Sequence, residues 1–450
     1  METVLRKCFI AICITLLPAL ICGQELAQTP PMGWNSYDSY GAAVLEHEVK
    51  GNADVMAALL KKHGWEYVVV DYCWSYPVIS ALNNPPQDED FEPSLPMDEY
   101  GRLLPAVVKF PSAADGKGFK PLADYVHGLG LKFGIHVMRG IPREAVAKKL
   151  PIKGTRYTAD QIADKTSTCG WLNQMYGVDM GKPGAQEYYN SLWELYASWD
   201  VDYVKVDDIL SPFWEDEIIA VNKAISNSGR PMVLSLSHGS ETPIEKADFL
   251  KENSHLWRIS ADFWDVWEDI EGMFELTHKW EKHIGPGHWP DADMIPFGRL
   301  SRRGPKGPER ESRFTTDEKY TLMTLWNIAR SPLMYGGDLM QLRTYDLPFL
   351  TNDEVLMVGR SSKNNQQLFR RGNFVAWVAD VSGSKDKYLA VFNLGEDTKT
   401  PIHVALSDLD FSGKVAIRDL WKKEELGIFS KEFVPLISSH GAGLYRISAD

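Results

Sequence analysis

Between residues 30 and 340, short and nearly continuous apolar runs alternate with longer stretches in which apolar residues recur every three or four positions. The runs at 67–71, 132–138, 232–236, 256–259 and 333–336 are bounded by polar residues and rich in β-branched or aromatic side chains. They read as strands, as do a brief opening run at 32–34 and a segment at 288–294. The stretches 46–62, 118–129, 186–199, 216–227, 242–251, 266–283 and 316–329 carry helical periodicity. Strands without a polar face imply a parallel sheet covered by helices. About eight strand–helix units fit, and a closed (β/α)₈ barrel over 24–345 is the economical α/β architecture. After about residue 350 the helical period stops. Short alternating stretches separated by turn residues follow at 367–370, 374–379, 387–393, 402–405, 415–420, 433–436 and 443–447. They predict a C-terminal antiparallel β-sandwich over 346–450.

One strand ends in charge. In Val201-Asp202-Tyr203-Val204-Lys205-Val206-Asp207-Asp208, side chains alternate, so Tyr203, Lys205 and Asp207 share one face while Val204 and Val206 share the other. A Lys and an Asp at the exit of an apolar strand are costly to bury unless they pair. Active sites of parallel α/β proteins sit at such carboxyl ends, the alternative here being a structural ion pair that closes the strand. Further acids fall at or just beyond strand ends: Asp71, Asp262, Asp291 and Asp293. Several carboxylates converging on one barrel mouth suit glycoside hydrolysis, where one carboxylate attacks the anomeric carbon and a second group donates a proton. Lys205 on the face of Asp207 keeps that acid ionised, as a nucleophile requires. An acid beside Phe263-Trp264 has its pKa raised by desolvation, as a proton donor requires. His136, at a strand end, reads as a polar residue of the mouth, with ligand contact as the alternative.

Composition narrows the picture. The 450 residues carry a net charge of −13 with both signs spread along the chain, which argues against a nucleic-acid partner. Fifteen Trp and eighteen Tyr are explained first by core packing and second by platforms that stack on sugars. The chain contains no G-x-S-x-G elbow, phosphate-binding loop or dinucleotide fingerprint in a strand–helix context, and no HExxH or calcium-loop spacing. Neither a cofactor nor a metal is expected. Arg6-Lys7 precedes an apolar run from Cys8 to Cys22, then Gly23 and polar Gln24-Glu25. This pattern reads as an export signal over 1–23 that is too short to span a membrane; lipid anchoring through Cys22 is the minor alternative. Three of five Cys lie in this leader. Cys73 and Cys169 remain, either as a disulfide or as two buried thiols. Two long connections, 75–117 and 139–185, follow strand ends and belong on the active face, and a basic loop spans 299–315. The oligomeric state is not legible.

From about residue 28 to the C-terminus, the chain resembles glycoside hydrolase family 27, the α-galactosidase and α-N-acetylgalactosaminidase family. The resemblance rests on an ordered set of motifs. These are Thr29-Pro30-Pro31-Met32-Gly33-Trp34-Asn35-Ser36, Val70-Asp71-Tyr72-Cys73-Trp74, Lys205-Val206-Asp207 and Arg258-Ile259-Ser260-Ala261-Asp262. Gly287-His288-Trp289-Pro290-Asp291-Ala292-Asp293-Met294 and His440-Gly441-Ala442-Gly443-Leu444-Tyr445-Arg446 complete it. The resemblance implies a cofactor-free retaining exo-α-glycosidase built as a barrel followed by an antiparallel domain. By motif, Asp207 is the expected nucleophile and Asp262 the acid/base. Lys205 and Arg258 are expected contacts to sugar hydroxyls, and Trp34 the wall under the sugar ring. Asp71 is the anchor for hydroxyls far from the anomeric carbon, and Asp293 a supporting or sugar-facing carboxylate; Asp208 has no role in the pattern. Three departures matter. Tyr72 replaces the second of two acids that recognise galactose hydroxyls. Near Ser237, α-galactosidases carry a bulky acid and N-acetylgalactosaminidases a small residue, so Ser237 leaves room for a 2-acetamido group, and His238-Gly239 stands where the family has Trp-Pro, which remodels the 2-position pocket. Ile209 or its neighbours stand where the family has a Cys, so Cys169 lacks its usual disulfide partner. The sugar is therefore open among α-galactoside, α-N-acetylgalactosaminide, β-L-arabinopyranoside and isomaltose-releasing α-glucan activities. From a different class, a catalytically silent carbohydrate-binding homologue is opposed by the intact Lys205/Asp207 and Arg258/Asp262 pairs.

Overall fold

A computed structural model of the chain describes residues 26–77, 94–304, 306–397 and 399–450. The expected leader, including Cys22, and part of the first long connection lie outside the described residues. Eight parallel strands form one sheet: β1 (Met32–Asn35), β2 (Tyr67–Val70), β3 (Lys132–Met138), β4 (Tyr203–Asp207), β5 (Val233–Leu236), β6 (Leu256–Arg258), β7 (Trp289–Asp291) and β8 (Leu333–Tyr335). Their order is β7-β6-β5-β4-β3-β2-β1-β8. A parallel bridge from Ile295, just past β7, to Tyr335 of β8 joins the two edges. A helix follows every strand: α1 (Glu46–Val55), α2 (Lys120–Gly128), α3 (Ala185–Ser198), α4 (Glu215–Asn227), α5 (Ala247–Asn253), α6 (Trp267–Trp280), α7 (Thr316–Ile328) and α8 (Asp353–Ser361). The start of α7 illustrates the local logic. Thr315 and Glu318 exchange side chain-to-backbone hydrogen bonds in a capping box, which satisfies amide groups that the first turn leaves open.

Strand parity sets what faces where. Val204 and Val206 pack in the layer between sheet and helices, whereas Tyr203 joins Tyr67, Val69, Val233, Leu256, Trp289 and Met334 in a separate apolar cluster. The face of Tyr203 is the one that carries Lys205 and Asp207 upward to the strand's carboxyl end. At the β1–β2 seam, a Cβ added to Gly33 would lie 2.3 Å from the Tyr67 carbonyl oxygen, so only glycine fits there.

The second long connection contains its own three-stranded antiparallel sheet from Ile141–Pro142, Ala163–Thr168 and Met175–Val178. Beyond α8, six antiparallel strands (Lys363–Arg371, Phe374–Asp380, Lys387–Asn393, Lys414–Asp419, Glu424–Ser430 and Ala442–Ala449) form the main sheet of the C-terminal domain. The C-terminal domain docks on the barrel mainly through aromatic side chains. His440 stacks on Trp267 at 3.7 Å, Phe392 meets Phe274 edge-on at 4.9 Å, and the Trp421 indole donates to Thr324 Oγ1 at 2.9 Å. The expected domain boundary at 346 falls before α8, a helix that packs against α7. Among the described residues no helix is long and apolar enough to cross a membrane.

Candidate functional site

The carboxyl ends of β2, β4 and β6 open on a cavity of about 470 Å³. Asp71, Tyr72, Lys205, Asp207 and Asp262 line it, so five of the residues singled out in the sequence converge on one space. Asp207 sits at the last position of β4. Its Oδ2 lies 3.1 Å from His136 Nε2 of β3, and its Oδ1 accepts the Asp208 amide at 2.8 Å. Burial opposes its charge, but the His136 contact, the nearby Lys205 ammonium and the Asp208 amide outweigh burial and hold the carboxyl below the usual carboxylate range. The side chain keeps 14% exposure, so an ionised oxygen still meets the cavity.

Lys205 is anchored from the other side. Its ammonium donates to Asp71 Oδ2 at 3.1 Å, and Asn35 Nδ2 donates to the same oxygen at 2.7 Å. The Asp71 amide donates to Ser36 Oγ at 2.9 Å, which ties the end of β2 to the turn after β1. Burial works against the Lys205 charge, yet Asp71, Asp207 and Asp293 raise its pKa and keep it protonated. Asp208 points elsewhere. Arg139 reaches Asp208 Oδ2 at 3.0 Å and Glu217 Oε1 at 2.7 Å, with its guanidinium over Trp214 at 4.1 Å. Parity therefore separates two adjacent acids into one at the cavity and one in a buried ion cluster.

Asp262 is 53% exposed and stands 3.6 Å from Arg258 Nη2. Arg258 is itself buried; its Nη1 pairs with Asp293 Oδ1 at 2.7 Å, and Asp293 Oδ2 accepts the Phe263 amide at 2.8 Å. Arg258 and Asp293 thus hold the turn 260–263 that carries Asp262. Burial pushes the Asp293 carboxyl up to about 6, against the pull of Arg258. The arrangement offers two chemically different carboxyls at one cavity: Asp207, anionic and held from two sides, and Asp262, more open to solvent.

Several expected contacts lie behind the lining instead. Trp34 is fully buried in the core and donates its indole N–H to the Gly337 carbonyl at 2.8 Å, so it forms no wall of the cavity. Tyr37, two residues past the end of β1, lines the cavity instead, its ring 6.0 Å from Lys205 Nζ and edge-on to Tyr72 at 5.9 Å. Ser237 is 1% exposed. The lining position is taken by its neighbour His238, packed edge-on against Trp171 at 4.6 Å. His136, Arg258 and Asp293 are buried and act on the cavity through Asp207 and Asp262. Trp264 and Lys306 also reach the lining. Position just past a strand end is the signal that identifies Tyr37 and His238, and closeness to Asp262 the one that identifies Trp264; Lys306 sits within the basic loop and carries no comparable signal. Cys73 and Cys169 are separate thiols in one buried cluster with Tyr72 and Tyr76.

Comparisons with known proteins agree with this construction. A family model described as α-galactosidase A matches residues 142–361, and one described as the α-galactosidase C-terminal β-sandwich domain matches 371–447. The chain is 28% identical to the α-galactosidase of Coffea arabica over 433 residues, covering 94% of each chain. It is 26% identical to that of Cyamopsis tetragonoloba, covering 94% of this chain and 87% of the relative. The family 27 β-L-arabinopyranosidase of Geobacillus stearothermophilus superposes with a TM-score of 0.90 at 49% identity, over 94% of this chain and 97% of that one. A provisionally assigned α-N-acetylgalactosaminidase from Bacillus halodurans gives 0.85 at 44%, over 95% and 99%. With this likeness spanning both domains, and with paired carboxyls at the barrel mouth, the chain belongs to glycoside hydrolase family 27 and is a glycosidase.

Proposed function

We propose that this glycosidase is a retaining exo-enzyme that removes a terminal pyranose with the ring configuration of galactose, and that β-L-arabinopyranosides are its preferred substrates. The observation that carries the reading is the inequality of the two carboxyls. Asp207, with its pKa depressed, attacks the anomeric carbon as an anion and forms a glycosyl ester. Asp262 protonates the departing oxygen, then takes a proton from the water that cleaves the ester. Asp71 and Lys205 hold hydroxyls on the far side of the ring, and Tyr37 covers one of its faces.

Tyr72 supports the choice of sugar. A phenol lined up edge-on against Tyr37 and His136 stands where galactose-recognising members carry a second acid. β-L-Arabinopyranose has the ring stereochemistry of α-D-galactopyranose and lacks only the exocyclic hydroxymethyl, so it does without a polar partner there. An enzyme of that activity is also 49% identical to this chain. The α-galactoside is the second reading, favoured by the intact Asp71 and Lys205 and by the names of the plant relatives. The leader read over 1–23 implies that the enzyme works outside the cytoplasm.

A panel of aryl glycosides tests the proposal. The β-L-arabinopyranoside is expected to give the highest kcat/KM and the α-galactoside a lower one. A faster α-galactoside overturns the choice of sugar, and turnover of an α-glucoside alone overturns the galactose-type reading. Tyr72→Asp is expected to narrow the gap in favour of the α-galactoside by about tenfold, about 1.4 kcal/mol.

A further inference from the structure

A cleft of about 900 Å³ is remote from the barrel mouth. It lies between the amino-terminal side of the barrel, where Gln28 precedes β1, Ile284 to Pro286 precede β7 and Arg330 precedes β8, and the first strands of the C-terminal domain. Its charge is unlike that of the molecule. The chain as a whole is at −13, yet five basic residues and two acids line this cleft. Both acids are engaged: Glu281 pairs with His278 at 3.0 Å, and Asp380 pairs with Lys387 at 2.7 Å. Lys282, Arg330, Arg360 and Lys363 have no carboxylate partner among the described residues.

Arg330 is the informative member. It is 7% exposed, and a buried cation without a counter-charge is costly. Its Nε donates to the Gly359 carbonyl at 2.8 Å and its Nη2 to the Arg360 carbonyl at 3.1 Å, with the guanidinium 4.6 Å from the centre of the Trp289 ring. All of these partners are neutral. Burial pushes its pKa down to about 10, which leaves it charged at neutral pH. The backbone thus fixes one face of a buried guanidinium, and three further unpaired cations share its cleft.

We propose that this cleft is a second glycan-binding site, specific for an acidic oligosaccharide whose uronate carboxylates pair with Arg330, Arg360, Lys282 and Lys363. Its size is that of a site for an extended ligand rather than for one small anion. Gln28, Ser361, Ser382 and Gln366 supply polar groups for sugar hydroxyls. No Trp, Tyr or Phe lines the cleft among the described residues, so the stacking that binds neutral sugars is missing and charge carries the recognition. Such a site tethers the enzyme to a polymer bearing uronate while the barrel mouth trims neutral terminal residues.

Calorimetric titration of the full-length enzyme with trigalacturonate, neutral galactotriose and inorganic sulfate at low salt tests the site. Trigalacturonate is expected to bind saturably, to be weakened by raised salt, and to remain bound when the active site is filled with arabinose or galactose. Replacing both Lys282→Ala and Lys363→Ala is expected to weaken it about tenfold, since each exposed pair contributes up to about 1 kcal/mol. The same variant is expected to keep kcat/KM on the best aryl glycoside. Absence of trigalacturonate binding, equal affinity for galactotriose or sulfate, displacement by active-site sugar, or undiminished binding by the double variant each overturns the proposal. Because the aryl glycoside assay reads the barrel mouth alone, these outcomes are separate from failure of the proposed activity.

Discussion

Replacing His136 with alanine isolates the group that tunes Asp207. The imidazole is 2% exposed and its Nε2 lies 3.1 Å from Asp207 Oδ2, within a carboxyl environment that burial alone would raise. A hydrogen bond to a charged group contributes about 1.5–3 kcal/mol, and one pKa unit corresponds to about 1.4 kcal/mol. Loss of His136 is therefore expected to raise the Asp207 pKa by about 1–2 units. The sign follows from the chemistry. Attack requires the anion, so activity falls as pH drops through the Asp207 pKa. Depression of that pKa extends activity toward acid, and His136→Ala withdraws the extension. The assay is kcat/KM against pH on an aryl glycoside with a good leaving group, which reports the free enzyme and makes little demand on Asp262. The acid limb of the profile is expected to move up by about 1–2 units in His136→Ala, with His136→Gln, which retains a donor, shifting less. An acid limb that stays in place while kcat falls would refute the reasoning and make His136 a packing residue only.

Other substitutions probe the remaining parts. Asp262→Ala is expected to slow substrates with poor leaving groups far more than activated aryl glycosides, because only the former need protonation; equal losses on both count against the acid role. Arg258→Met leaves the buried Asp293 carboxyl unpaired and is expected to cost about 3–5 kcal/mol of stability in denaturant titration. Adding Asp293→Asn to that variant is expected to recover part of the loss, and an additive further loss contradicts the pairing at 2.7 Å.

The fold was legible because its strands are buried on both faces, which leaves period and composition as clean signals. The same reasoning failed where those signals are weak. Glu424–Ser430 is a strand with nearly every side chain exposed, so it shows no apolar alternation. Helix α8 is a nine-residue segment lying where the longer helical pattern has ended, and so short a stretch gives little periodic signal. Within the site, alternation along β4 correctly grouped Lys205 with Asp207 and set Asp208 apart, because a strand of known direction leaves no freedom in side-chain parity. Trp34 was a different case. It lies inside β1 rather than beyond its end and is fully buried, whereas Tyr37, two residues past that end, lines the mouth. Ser237, the position that the resemblance marks for the sugar's 2-substituent, is buried, whereas its neighbour His238 lines the cavity. His136 showed the opposite limit. Its contact with Asp207 joins neighbouring strands, and no spacing in the sequence encodes which ring nitrogen meets which oxygen.

The central claim is that Asp207 carries the sugar through a covalent intermediate. Incubating the enzyme with an activated 2-deoxy-2-fluoro glycoside of the preferred sugar slows the second step, so that the intermediate accumulates and is mapped by peptide mass spectrometry. The account predicts one glycosyl adduct, on the peptide that contains Asp207, and none in the Asp207→Asn variant. Rapid turnover without an adduct and with inversion at the anomeric carbon, or an adduct on Asp262 instead, would contradict it.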